Sequence, residues 1–100
     1  MGGFVQPQGH VQMVMNTVDF ALNPQSAIDA PRWQWTKDKT VEVEHQFSDS
    51  IAEALERKGH NVQRTVGNLT MGRAQIIWRD PSGVLAGGTE SRTDGAVAAW

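Results

Sequence analysis

The chain has 100 residues, 39% of them hydrophobic, and a formal net charge of −2, so its composition predicts one globular domain over residues 1–100. The nine basic residues are scattered, which excludes the basic patch typical of binding to nucleic acid or to an anionic membrane surface. The absence of cysteine excludes disulfides, thiolate zinc sites and a cysteine nucleophile. No apolar run approaches the roughly 18 residues that span a bilayer, and no signal-peptide pattern is visible. We therefore expect a soluble protein, cytoplasmic in the first instance.

Apolar residues recur at helical spacing soon after the N-terminus. Glycines and a proline make residues 2–9 irregular. The stripe that follows predicts an amphipathic helix, and its members are Val11, Val14, Met15, Val18 and Leu22.

A second, short helix is predicted from Asn23 to about Ala30. Asn23 can cap this helix and Pro24 suits its first position. The helix should stop before Pro31, because proline disfavours helical geometry in the residue that precedes it. Residues 32–39 are polar and aromatic, and they predict a loop that carries two tryptophans.

A third helix is predicted between Ser48, a suitable N-cap, and Gly59, a typical residue after a helix end. Alternation over residues 40–44 predicts a half-exposed strand before it. The apolar residues expected to face inward from this helix are Ile51, Ala52 and Leu55.

Three more strands are predicted over residues 61–66, 74–78 and 84–87. The last two flank residues 79–83, whose Asp, Pro and Gly are typical of a hairpin turn. We expect these three strands to pair antiparallel, with the preceding helix on one face. The predicted fold class is therefore α+β, an antiparallel sheet with helices packed on one face.

The glycine pair Gly2 and Gly3 is the sharpest functional candidate. Two successive glycines allow their backbone N–H groups to converge on a small anion-binding concavity of the oxyanion-hole kind. A glycine pair at this place can equally be a flexible linker, and the residues alone leave both interpretations open.

The remaining chemistry-bearing residues favour structural roles. His10, His45 and His60 lack the helical spacing of metal ligands, and a zinc site needs three or four convergent ligands, so we expect surface histidines and assign no metal and no cofactor. Arg32 has a rigid planar fork, and we expect it to form an ion pair that pins the loop after the short helix rather than to contact substrate.

The tail and the tryptophans are also expected to be structural. Residues 87–95 predict a tail in which Arg92 and Asp94 make local hydrogen bonds. The run from Glu90 to Arg92 is not a catalytic triad, because neighbours in a strand point to opposite faces. Core or subunit contacts are expected for the tryptophans, which are Trp33, Trp35, Trp78 and Trp100.

In its order of parts the chain resembles the gamma-glutamyltranspeptidase family of N-terminal-nucleophile hydrolases, in the C-terminal part of the small subunit. The resemblance is carried by Gly2-Gly3, by the run NTVDF over residues 16–20 and by the run AIDAPR over residues 27–32. It implies part of a four-layer αββα sandwich and transfer or hydrolysis of a gamma-glutamyl group from glutathione-like substrates. The same resemblance implies that Gly2 and Gly3 supply the oxyanion hole.

The resemblance also implies that the catalytic threonine lies upstream of this chain. The family's nucleophile is a threonine freed at a chain start, so that its own amine acts as the base. This chain begins with Met1 and Gly2, so we expect it to be inactive alone, and we assign it no substrate-binding residue.

An incomplete sandwich exposes an apolar sheet face and a strand edge, and we therefore expect a homo-oligomer, most simply a dimer. Two other functions stay open. One is an oligomeric α+β interaction module without catalysis. The other is a binder of glutamate or glutathione that uses Gly2-Gly3 or Arg32.

Overall fold

The computed structural model describes residues 2–67 and 69–99, the side chain of Leu69 excepted. Its α-helices are α1 (Gln6–Val14), α2 (Pro24–Asp29) and α3 (Asp49–Arg57). Short 3-10 segments cover Gly3–Val5 and Leu69–Met71, and a π-helical turn, Met15–Asp19, extends α1. The strands are β1 (Trp33–Lys37), β2 (Thr40–Val43), β3 (Asn61–Arg64), β4 (Ile76–Arg79) and β5 (Leu85–Gly88).

The strands form two sheets. One has the order β1-β2-β3, and the other consists of β4 and β5, which pair antiparallel around the predicted turn. The α+β class and the hairpin are therefore confirmed. The prediction that the strand over 61–66 pairs antiparallel with this hairpin is wrong, because β3 pairs parallel with β2, with Val41 opposite Val62. Helix α3 lies between these two strands in the chain, and such a crossover returns the next strand in the same direction.

The prediction of a loop over residues 32–39 is wrong, because most of this segment forms strand β1. This strand pairs antiparallel with β2, with Trp35 opposite Val41. The connection to β2 is tight: Asp38 has a φ of 48°, and its carbonyl accepts a hydrogen bond of 2.9 Å from the Trp35 indole N–H. The alternation of Trp33, Gln34 and Trp35 was the available signal, since aromatic residues favour strands.

Helix α1 turns its apolar stripe away from the rest of the chain. Val11, Val14 and Val18 are 53%, 59% and 64% exposed, whereas Gln12 is only 7% exposed. The stripe predicted from spacing is present, but the buried side of this helix is polar.

The buried apolar residues are few, and they are Val5, Ala27, Ile28, Val41, Val43, Ala52 and Met71. Among the residues predicted to face inward from α3, Ala52 is buried and Leu55 is half-buried. The prediction for Ile51 is wrong, since this residue is exposed. The reason is that α3 packs on β3, at the edge of the sheet, and only one side of the helix is covered.

The tryptophans at positions 33, 35 and 78 are all exposed, so the expectation of core packing is wrong for these three. Each lies on β1 or β4, strands with an open face in this chain. Trp100 lies outside the described residues. Packing against another subunit stays a prediction.

Helix α2 begins as predicted, at a capping asparagine. The Asn23 side-chain oxygen accepts a hydrogen bond of 2.8 Å from the Ser26 N–H, and Pro24 takes the first helical position. Helix α3 also begins as predicted, after Ser48, but the Ser48 hydroxyl makes no capping bond to the helix backbone. The two helix starts therefore form a matched pair for a stability test.

We expect Asn23→Ala to lower the free energy of unfolding by about 1 kcal/mol, because the Ser26 N–H loses its partner. Ser48→Ala should lower the free energy of unfolding clearly less than Asn23→Ala, since no capping bond is lost. Urea unfolding followed by tryptophan fluorescence measures both. Equal losses in the two variants would contradict the assigned cap.

Candidate active site

The Gly2-Gly3 pair forms a tight turn directly in front of α1. Gly2 has a φ of 124° and Gly3 a φ of 54°, both in the region that favours glycine. The Val5 N–H donates to the Gly2 carbonyl at 3.1 Å and closes the turn. Gly3 is exposed and Gly2 half-buried, so the turn lies at the surface and is continuous with the helix.

A third glycine, Gly72, packs against this turn. A Cβ atom at Gly2 would lie 3.3 Å from Cγ1 of Val5, and one at Gly72 would lie 3.6 Å from Cα of Gly2. Gly72 also has a positive φ, of 75°. The positive φ values favour glycine at both places, and a side chain at Gly2 would also crowd Val5 within the turn itself.

A cavity of about 370 Å³ opens beside the turn. Its volume falls within the range of small-molecule sites, about 300–1,000 Å³. The residues that line it are Gly2, Gly3, Phe4, Val5, Gln34, Thr70, Gly72 and Arg73. A molecule bound in this cavity would lie next to the backbone of the glycine turn.

Arg32 is buried behind the turn and holds the segment that packs against it. Its exposed fraction is 3%. Nη1 donates to the carbonyls of Met71 and Gly72, at 3.2 and 2.9 Å, and Nη2 donates to the Glu90 carboxylate at 2.7 Å. The predicted ion pair of Arg32 is therefore confirmed with Glu90, and the separate hydrogen bond from Nη1 holds the Gly72 carbonyl.

A second arginine, Arg92, completes a buried charge cluster. Its Nε and Nη2 each donate to a carboxylate oxygen of Glu44 at 2.5 Å, and its Nη1 donates to Glu90 at 2.8 Å. Glu44 and Glu90 are 0% and 1% exposed. The local hydrogen bond of Arg92 is confirmed, but its larger role was missed, because the pairing with Glu44 joins the C-terminal segment to the end of β2.

The cluster contains two guanidiniums and two carboxylates, so its charges balance. Burial opposes ionisation of Glu90, but hydrogen bonds from Arg92, from the Ala74 N–H and from Arg32 outweigh it and lower the pKa of this carboxyl. Burial likewise disfavours the charged form of Arg92, but Glu44 and Glu90 outweigh it and raise the pKa of the guanidinium. The cluster therefore stabilises the charged forms of Glu90 and Arg92, and each of these two groups depends on its buried partners.

We expect acid to destabilise the chain through Glu90. Its carboxyl has a lower pKa in the folded chain than the ordinary value of about 4.3. Its contribution is therefore complete above about pH 4.3 and is lost as the pH falls through the lowered folded pKa. Urea unfolding at a series of acidic pH values measures this loss. Glu90→Gln should flatten the profile, and an unchanged profile in that variant would contradict the assignment.

The three histidines do not lie together at the glycine turn. His10, His45 and His60 are exposed, as expected for surface histidines, and only His10 lines a second cavity, of about 300 Å³, between α1 and residues 71–76. Across residues 2–67 and 69–99, no group of three or more His, Asp or Glu side chains is placed to hold a metal ion. No helix in these ranges has the length and apolar character needed to cross a membrane.

The amino-acid sequence of the chain matches a known protein family. The gamma-glutamyltranspeptidase family model matches residues 1–100, which is the whole chain. The chain belongs to this family. The resemblance drawn from Gly2-Gly3 and from residues 16–20 and 27–32 is thereby confirmed.

Curated gamma-glutamyltranspeptidase relatives agree with this assignment. The glutathione hydrolase-like YwrD proenzyme of Bacillus subtilis is 36% identical over 96% of this chain. The glutathione hydrolase proenzyme of Escherichia coli is 38% identical over 83% of it. The chain spans only 19% and 14% of the length of these two relatives.

Solved structures agree in fold. The cephalosporin acylase from Bacillus halodurans is 65% identical, with a TM-score of 0.97 over 100% of this chain and 19% of that chain. The transpeptidase enzyme CapD of Bacillus anthracis is 26% identical, with a TM-score of 0.78 over 93% of this chain and 56% of that chain. The fold of this gamma-glutamyltranspeptidase-family chain is therefore that of one part of larger structures.

Proposed function

We propose that this chain supplies the oxyanion-stabilising turn of an enzyme that cleaves or transfers gamma-glutamyl groups of glutathione-like substrates. In this proposal the chain is one part of the αββα sandwich of N-terminal-nucleophile hydrolases, with its helices on one face of a central sheet. The backbone N–H groups of Gly2 and Gly3 stabilise the negative charge that develops on the substrate carbonyl oxygen.

The geometry of the turn is the observation that carries the proposal. Two successive glycines with φ values of 124° and 54° lie at the surface, beside a cavity of small-molecule size. Backbone N–H groups stabilise a developing oxyanion well only when they are held in place beforehand. The closing hydrogen bond to Gly2 and the contact with Gly72 support such a fixed arrangement.

The proposal assigns the nucleophile to polypeptide outside these 100 residues. A nucleophile of the family's kind is a threonine whose own free amine acts as base. Thr70 lines the cavity, but its nitrogen is part of a peptide bond. The Thr17 hydroxyl donates instead to the carbonyls of Met13 and Val14, at 2.9 and 3.1 Å. We therefore expect the chain alone to release no product.

The exposed apolar residues support a proposal about association. The outer side of α1 and the hairpin β4–β5 expose large hydrophobic side chains, including Val14, Val18, Ile77 and Leu85. Large apolar patches of this kind mark contact surfaces. We propose that a second copy covers them in the isolated chain, most simply as a dimer. Sedimentation should then find a dimer, and a strictly monomeric species would count against it.

A non-catalytic oligomeric module remains the alternative. The exposed apolar surface favours the module and the enzyme part equally, because each of them would bury that surface against a partner. The two differ in turnover. A stable dimer that gives no activity in any complemented form would favour the module.

A chimera tests the catalytic proposal. We would replace the matching 19% of the cephalosporin acylase from Bacillus halodurans by this chain and assay release of p-nitroaniline from gamma-glutamyl-p-nitroanilide. The parent acylase and the isolated chain serve as controls, and a cephalosporin amide is assayed beside the gamma-glutamyl substrate. The proposal predicts turnover of the gamma-glutamyl amide by the chimera and none by the chain alone. A folded chimera with no amidase activity would overturn it.

A further inference from the structure

Two glutamines of α1 pair with the backbone of β1 in the same way. The Gln12 amide donates to the Trp33 carbonyl at 2.8 Å and accepts from the Trp33 N–H at 3.2 Å. The Gln8 amide donates to the Trp35 carbonyl at 3.1 Å and accepts from the Trp35 N–H at 2.7 Å. Each side chain therefore forms the pair of hydrogen bonds that a neighbouring strand would form.

The spacing of the two glutamines matches the spacing of the strand. Gln8 and Gln12 are four residues apart, which puts them on one face of α1 and about 6 Å apart along its axis. Trp33 and Trp35 are two residues apart, which places them about 6.6–6.8 Å apart along β1 and turns their polar groups to the same edge. A helix face can therefore follow this strand edge for two successive pairings without distortion.

These pairings close an open sheet edge. β1 is the first strand in the order β1-β2-β3, so one of its edges has no strand beside it. Free N–H and C=O groups on such an edge would be left to water or to another chain. The glutamine amides bind them instead, and Gln12 is 7% exposed as a result.

Helix α1 is thus attached to the sheet by hydrogen bonds from its polar face, while its apolar stripe points outward. The glycine turn follows the helix rigidly, because the Gln6 N–H donates to the Gly3 carbonyl and the 3-10 segment runs into α1 without a break. The position of α1 on β1 therefore determines where the N–H groups of Gly2 and Gly3 lie.

We propose that Gln8 and Gln12 are positioning residues for the Gly2-Gly3 turn. Their amides hold α1 in one register along β1 and so place the turn beside the cavity, while Arg32 binds the carbonyl of Gly72, which contacts the turn. The catalytic meaning of this placement rests on the proposed oxyanion role of the turn. The placement itself is a property of this chain and can be measured without turnover.

The test uses a double variant, Gln8→Met with Gln12→Met, which keeps the side-chain length and removes all four hydrogen bonds to β1, together with the bond from the Gln12 amide to the Gln8 carbonyl. The matched control is Gln25→Met, because the Gln25 amide pairs with Thr89 in the same two-bond manner, at 2.9 and 3.0 Å, but does not contact the turn. Amide NMR of the 100-residue chain gives the position of the Gly3 signal and the hydrogen-exchange rates at Trp33 and Trp35.

The double variant should shift the Gly3 amide signal and speed exchange at Trp33 and Trp35 by about tenfold. Gln25→Met should leave the Gly3 signal unchanged, although it too lowers the unfolding midpoint. A purely structural role would lower stability without moving Gly3. An unmoved Gly3 signal in the double variant would therefore overturn the proposal.

The chimera separates this inference from the proposed function. There, the double variant should lower kcat with little change in KM, since the turn acts on the developing oxyanion rather than on ground-state binding. If the double variant shifts the Gly3 signal but the unmutated chimera is inactive, the oxyanion role is contradicted and the positioning is supported. In an active chimera, an unchanged kcat together with a shifted Gly3 signal would contradict the oxyanion role, and an unchanged kcat together with an unmoved Gly3 signal would contradict the positioning.

Discussion

Glu90→Ala is expected to lower the free energy of unfolding of the chain by about 3–5 kcal/mol. The Glu90 carboxylate is 1% exposed and accepts hydrogen bonds from Arg32, Arg92 and the Ala74 N–H. Its removal leaves two buried guanidiniums facing the single charge of Glu44. An uncompensated buried charge costs far more than a surface pair, and the loss would take a large share of the roughly 5–15 kcal/mol available to a domain.

The control for this variant is an exposed ion pair. Asp49 is 88% exposed in its pair with Arg64, so Asp49→Asn should cost less than about 1 kcal/mol. Glu90→Gln should fall between the two, because it keeps an acceptor and loses the charge. Urea unfolding at neutral pH ranks all three. A Glu90→Ala loss no greater than that of Asp49→Asn would mean that the cluster does not stabilise the fold.

In the active chimera, Gly2→Ala is expected to lower kcat by about 100- to 1,000-fold, the usual cost of losing an oxyanion donor. The φ of 124° at Gly2 is unfavourable for any residue with a Cβ, and that Cβ would meet Val5 Cγ1 at 3.3 Å. The backbone must therefore turn, and its N–H groups leave their positions. KM should change little, because the interaction strengthens in the transition state.

Gly9→Ala is the matched control for this glycine variant. Gly9 lies inside α1, has no positive φ, and a Cβ there would meet nothing within 4 Å. The variant should keep full activity and gain about 0.5–1 kcal/mol of stability, as expected for alanine in a helix. Equal kcat in Gly2→Ala and Gly9→Ala, with both proteins folded, would remove the oxyanion role from the turn.

The elements with local signals could be predicted from the sequence. Asn23 and Pro24 start α2, Gly59 follows α3 with a φ of 97°, and Asp80 accepts hydrogen bonds within the hairpin turn from the N–H groups of Ser82 and Val84. Each of these features depends on a few neighbouring residues, so a single sequence contains the necessary information. The glycine pair was recognisable for the same reason.

The features that depend on distant partners were missed. Glu44 ends an alternating strand and has the pattern of a solvent-facing residue. Its burial is explained by distant donors, the Arg32 N–H and the guanidinium of Arg92, which is 48 positions away. The parallel pairing of β3 with β2 agrees with the strand-helix-strand order over residues 40–64, because a helical crossover returns the next strand in the same direction. The outward stripe of α1 could not be foreseen, because spacing defines an apolar face and not the side on which its partner lies.

The glutamines of α1 belong to the same class of missed features. Gln8 and Gln12 are polar residues in a helix, and polar residues there are usually solvated. Their role appears only when β1 is recognised as a strand with an open edge. A pair of glutamines at helical i, i+4 spacing, followed by a short aromatic strand, is the pattern that would have indicated it.

The location of the acyl group during turnover tests the central claim most directly. The chain and the remaining part of the Bacillus halodurans relative would be combined as separate polypeptides, exposed briefly to gamma-glutamyl-p-nitroanilide, quenched in acid and weighed by intact-mass spectrometry. The account predicts one added gamma-glutamyl group on the larger polypeptide and none on these 100 residues, which contribute the turn and not the attacking group. A gamma-glutamyl adduct on this chain would contradict it.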